Sequence, residues 1–223
     1  VSLYLAAQPS LVPRTSAPHN LSGANARFVE GLDGLAVIPY MYLGAKHMVT
    51  GYDHLLYLVG VVFFLRRLKD VVLYVSLFTL GHSITLMAGV LLEWNVNAYL
   101  IDAVIGLSVA YKAFENINGF KQVFGCALNP RVAVLIFGFF HGLGLATKLQ
   151  GLSLSPDSLV FNMLSFNMGV EIGQALGLVC VVVILGRWRQ HNSFPKQAFA
   201  ANTALMSLGF MLTGYQLSAY WWA

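Results

Sequence analysis

The chain has 223 residues, of which 57% are hydrophobic and only 10% charged, against roughly a quarter charged in an ordinary water-soluble domain. With a mean hydropathy of +0.68, that composition excludes a soluble globular fold. The net charge of +4 is not a nucleic-acid footprint here, because in a membrane chain the positions of the charges matter more than their sum.

Residues 1–27 carry Pro9, Pro13 and Pro18 among small polar residues and read as an exposed, extended N-terminal segment. Leu3 to Ala7 have the composition of the end of a signal peptide. Residues 28–223 read as a single transmembrane bundle. Phe28 to Leu43 is apolar but broken by Gly31, Gly34 and Pro39, the pattern of a short interfacial or re-entrant helix. About six apolar runs of membrane-spanning length follow. They cover Gly44 to Leu65, Val71 to Leu92, Ala98 to Phe114, Val132 to Leu149, Ser158 to Leu185 and Ala198 to Trp221. No ten-residue alternating pattern of the barrel type repeats, so the predicted fold is an all-α integral membrane protein.

Basic residues orient the bundle. Arg66, Arg67, Lys69, Lys112, Lys121, Arg131, Arg187, Arg189 and Lys196 fall on one side, and only Arg14, Arg27, Lys46 and Lys148 on the other. The basic side is predicted to face the cytoplasm of a bacterial inner membrane, with both termini periplasmic. Trp94, Tyr99, Tyr220, Trp221 and Trp222 suit an outer interfacial belt and Trp188 an inner one. Lys148 and Asp157 read as members of a solvated outer loop.

The informative residues are ionisable ones inside the spans, since an Asp at a helix centre costs about 2.5–3.5 kcal/mol on insertion scales. Asp53 and His54 fall near the middle of the first span, His82 of the second, His141 of the fourth and Glu171 of the fifth. His47 lies seven residues before His54, so on a continuous helix it shares a face about 10 Å away, an entrance to His54's destination. Asn167, Glu171 and Gln174 make one polar stripe, and Thr79, His82 and Ser83 share a face. Asp102 and Ser108 sit on the third span, Asp102 nearer the outer surface. Gly81, Gly138, Gly142 and Gly144 flank His82 and His141, and small residues let membrane helices approach closely.

The two cysteines, Cys126 and Cys180, are far apart and form no thiolate cluster. Imidazole with carboxylate and no thiolate suits nickel, cobalt or zinc rather than copper(I), and calcium or magnesium would want more oxygens. The candidate ligands are His47, Asp53, His54, His82, His141 and Glu171, with Asp102, Ser83, Asn167 and Gln174 in support. Because histidine titrates near neutrality and metal displaces its proton, a proton-coupled cycle is open to such a site. The same residues also admit two other readings: an intramembrane zinc hydrolase built from His82, Ser83, Asp53, His54 and His141, and a haem subunit with two axial histidines.

These stretches closely resemble the HupE/UreJ family of small bacterial metal permeases. His47-Met48-Val49-Thr50-Gly51-Tyr52-Asp53-His54 fits its signature of a His, five residues and Asp-His. Phe78 to Leu86 resembles its FTxxHSxTL motif, Phe137 to Gly144 its FGxxHGxG motif and Phe166 to Gln174 its FNxGVExGQ motif. Asp102, before Ile105 and Ser108, stands where the family usually has Glu, and Gly81 where alanine is common. The resemblance implies a permease for nickel or cobalt as transported Ni2+ or Co2+, zinc being admitted, with no tightly bound cofactor. The expected partners are the divalent metal ion and the lipid bilayer, with no nucleic acid. A homo-oligomer or association with other membrane subunits stays open.

Overall fold

A computed structural model describes residues 34–126, 129–150 and 158–222. The expected N-terminal segment 1–27, residues 28–33 of the expected interfacial helix and Asp157 lie outside the described residues. The described chain is helical throughout, without a strand: α1 (Val37–Thr50), α2 (Tyr52–Val62), α3 (Leu68–Leu91), α4 (Ala98–Asn116), α5 (Gly119–Phe124), α6 (Pro130–Gln150), α7 (Leu159–Trp188) and α8 (Phe194–Trp222). Helices are the natural outcome, because lipid offers no partner to backbone N–H and C=O groups and a helix satisfies them within itself. α3, α6 and α7 are long and apolar enough to cross a membrane by length and composition.

The beginning of the bundle departs from expectation. In place of an interfacial helix ending at Leu43 and an unbroken span from Gly44 to Leu65, α1 and α2 form one discontinuous helix interrupted at Gly51, whose backbone is extended (φ −75°, ψ 94°). Pro39 was misleading as a breaker. It sits in the first turn of α1, where its missing N–H costs nothing and its fixed φ suits a helix start. The long helices α3, α4, α6, α7 and α8 coincide with the remaining expected spans to within a few residues. The third loop holds the unanticipated short α5, entered through Asn118 and closed by Gly125, both left-handed.

Three tight pairings build the bundle. The start of α1 is tied to the start of α7: the Ala36 N–H donates to Asn162 Oδ1 at 2.9 Å and Ser158 Oγ to the Gly34 carbonyl at 2.6 Å. Further along, Gly44 lies against the Phe166 carbonyl, Gly173 against Ala45, and Gly177 against Leu55, so α1 and α2 run parallel to α7. α3 runs parallel to α6, with Gly138 on the Phe78 carbonyl, Gly142 on that of His82 and Gly89 on Ala146. α4 and α8 are antiparallel, Ala110 meeting Gly209 while Gly106 meets Thr213.

One end of the bundle, called upper here, holds the start of α1, the α3–α4 turn and the end of α8. The lower end holds the α2–α3, α4–α6 and α7–α8 connections. Polar ties close the lower end. The Arg189 guanidinium donates to the carbonyls of Val62, Phe63 and Leu65 at 2.6–3.2 Å, satisfying the last turn of α2. Asn116 Nδ2 donates to the Gly60 carbonyl at 2.8 Å and to Asn202 Oδ1 at 2.9 Å, joining α2, α4 and α8.

Two apolar clusters fill the interior, a lower one including Tyr57, Phe78, Val109 and Leu205 and an upper one including Met48, Leu86, Leu145 and Phe166. The four intramembrane histidines fall where the clusters meet. His82 lies between Phe78 and Leu86 on α3, and His54 and His47 adjoin Tyr57 and Met48.

Candidate metal centre

The break at Gly51 decides the geometry. It ends α1 just after His47 and starts α2 just before Asp53 and His54. The His47 and His54 rings, expected a helix stretch apart, come to 5.0 Å between centroids. Entrance and destination are therefore one cluster. His54 is its hub, with His141 at 4.9 Å and His82 at 5.9 Å. α3 and α6 deliver these last two rings at one depth because Gly138 and Gly142 let the helix backbones touch. The four imidazoles are 5%, 3%, 1% and 0% exposed for His47, His54, His82 and His141.

Hydrogen bonds fix two tautomers. His141 Nδ1 lies 2.8 Å from the Phe137 carbonyl; a carbonyl only accepts, so Nδ1 carries the proton and Nε2 a bare lone pair. His54 Nδ1 lies 3.1 Å from Asp53 Oδ1, the carboxylate–imidazole arrangement that orients metal-ligating histidines. Nε2 of both rings and both nitrogens of His47 and His82 are buried without a hydrogen-bond partner. Buried polar atoms are ordinarily paired, and each unpaired one costs about 1–3 kcal/mol. With one lone pair per neutral ring, the six orphaned nitrogens amount to four bare acceptors and two N–H groups without partners.

Among the described residues no three His, Cys, Asp or Glu side chains already surround one point as ligands. The rings instead meet edge to face around His54, with interplanar angles of 75–77°.

A cavity on the upper side reaches the cluster at His47. Lined by His47, Tyr52, Asp53, Asp102, Lys148 and Gln216, it leaves about 30 Å³ to the centres of water-sized spheres, enough for one or two waters. Asp102 belongs to this mouth, and Lys148 is not a loop residue: its ammonium pairs with Asp102 at 3.1 Å. Lys148 stands seven residues after His141, two turns along the same face of α6, a signal available in the sequence and missed. Tyr57, three residues after His54, was missed likewise. Its ring lies 5.2 Å from that of His141, and its hydroxyl is buried without a partner.

Other expected members lie elsewhere. Glu171 is exposed and lines a separate lateral groove of about 440 Å³ between α3 and α7, together with Thr79, Ser83 and Gln174. Of the α7 stripe only Glu171 is exposed, and the α7 residue that reaches the rings is Phe166, 6.3 Å from His47. Gln174 is buried and accepts from Thr79 Oγ1 at 3.1 Å, and Asn167 is buried with Oδ1 unpartnered. Ser108 spends its hydroxyl on the Ile105 carbonyl at 2.6 Å.

Fold and centre together define a polytopic all-α membrane protein with a polyhistidine cluster at the break of a discontinuous helix. The chain belongs to the HupE/UreJ family: the family profile described as HupE / UreJ protein matches residues 25–223. No curated protein and no solved structure matches it.

Proposed function

We propose that this protein is a membrane permease for a divalent transition-metal ion, nickel or cobalt before zinc, and that the histidine cluster is where the ion is held in transit. The observation that carries this reading is the set of four buried imidazoles, His47, His54, His82 and His141, each left with a bare lone pair that no protein group meets. Borderline dications are the electrophiles that neutral imidazole prefers. The rings turn to converge on the arriving ion, and the site holds it without closing around it permanently, as a carrier requires. Asp53 and Asp102 draw the cation into the upper mouth, and Asp53 orients His54. The basic lower end faces the cytoplasm of a bacterial inner membrane, so the mouth opens to the periplasm.

The zinc-hydrolase reading loses its nucleophile-side hydroxyl, because Ser83 lines the lateral groove rather than the ring cluster. Metal content by mass spectrometry of purified protein tests the permease reading. Wild type should carry nickel or cobalt after loading, and His54→Ala and His82→Ala should each carry far less. Equal metal in all three would end the case for this centre.

A further inference from the structure

The three tight helix pairings are one arrangement used twice. A Cβ on Gly44 would strike the carbonyl of Phe166, and a Cβ on Gly138 would strike that of Phe78. Gly81 lies in the same way against the Leu135 carbonyl, and Gly169 against that of Met41. Gly106 abuts the Thr213 N–H and Gly209 the Ala110 N–H. Each contact becomes its mate when α1 is exchanged with α6, α3 with α7 and α4 with α8, at constant register within each exchange. α1 runs downward and α6 upward, so the operation is a half-turn about an axis lying in the membrane plane. The sequence carries a faint trace: Gly-x-x-His recurs at 44–47 and 138–141, and Phe-x-x-Gly-x-x-Ile at 78–84 and 166–172.

The centre sits on this axis. The half-turn carries His47 onto His141, and those two rings flank His54 at 5.0 and 4.9 Å, both at 77°. It also carries the ring contact of Phe166 with His47 onto that of Phe78 with His141.

The two halves match in fold but not in opening. Around the upper mouth stand Asp102, Leu212 and Gln216. Their mates, Leu205, Val109 and Ala113, are buried in the lower apolar cluster. The place on the opposite side that corresponds to the upper mouth is a closed apolar seam between α2, α4 and α8.

We propose that the protein has a second access route to the histidine centre, running along Val109, Ala113 and Leu205. It opens when the two inverted halves exchange conformations and the upper mouth closes. Inverted repeats with a broken helix and a midplane site are a general architecture for alternating access. The proposal rests on the permease reading for its cargo, but its geometry stands without that reading.

The test uses full-length protein in vesicles, with Cys126 and Cys180 replaced by serine and one reporter added: Gln216→Cys for the upper mouth or its mate Ala113→Cys for the lower. A membrane-impermeant thiol reagent is applied from each side, with and without nickel. Gln216→Cys should label only from the upper side and Ala113→Cys only from the lower. Any condition that changes one rate severalfold should change the other in the opposite sense. Leu205→Cys reports the lower route from a different helix if Ala113→Cys does not insert. Lower-route cysteines that stay silent in vesicles with intact nickel uptake would overturn the second route, and rates rising together would replace it with an open channel. Reciprocal labelling without any metal uptake would instead leave the route standing and remove the metal as cargo.

Discussion

Replacing Asp53 by Asn keeps the side-chain volume but removes the charge that holds His54 by its Nδ1. Carboxylates behind ligating histidines are worth about 10–100-fold in metal affinity, so Asp53→Asn should lower nickel affinity by that order while His54→Ala abolishes it; dye-competition titration distinguishes them. Glu171 lines the lateral groove rather than the ring cluster or the upper mouth, so Glu171→Gln should leave both metal content and uptake into liposomes near wild type. Slowed uptake with intact metal content would put Glu171 back on the pathway. Tyr57→Phe deletes a buried hydroxyl with no partner, and should leave stability unchanged or raise it by about 1 kcal/mol, as read from thermal unfolding in detergent. At this scale the sequence was legible where cost alone marks a residue. His54, His82 and His141 stand out because nothing apolar is gained by keeping them. Lys148 escaped because a lysine near a helix end is ordinarily solvated, and only the packing of α4 on α6 shows that its partner is Asp102.

Helices here are joined by absence of side chain more than by any bond. Gly169→Val should push α1 off α7, since the added carbons would meet the Met41 backbone. Backbone does not yield as a flexible side chain does, so the cost should exceed the roughly 1–3 kcal/mol of ordinary overpacking. Gly186 and Gly214 have nothing within 4 Å of a built Cβ, and alanine at either should be neutral; the monodisperse fraction after detergent extraction compares all three. Arg189→Ala should also destabilise, by about 1.5–3 kcal/mol for this partly buried group of charged hydrogen bonds as a whole, and Arg189→Lys should fail to rescue because an ammonium cannot fork across several carbonyls. The spans were readable in the sequence because hydrophobic length is a one-dimensional property. The break at Gly51 was not, since one glycine in an apolar run is common, and Gly31, Gly34 and Pro39 gave a louder false signal just upstream.

For the molecule as a whole, pairing was the illegible part. Parallel packing of α1 with α7 and of α3 with α6 joins segments far apart in sequence, and hydropathy carries no information about which spans become neighbours. The clustering of the histidines depends on that pairing. Asp53, Asp102 and Lys148 together carry a single surplus negative charge, and the ammonium already occupies Asp102. On the permease reading, an incoming ion must evict this resident before both carboxylates are available to it. A dication gains twice what sodium or potassium gains from the same exchange, so the tethered lysine acts as an incumbent that only a doubly charged challenger readily displaces. Lys148→Met should leave nickel uptake working in dilute buffer but expose it to inhibition by potassium chloride at concentrations the wild type tolerates.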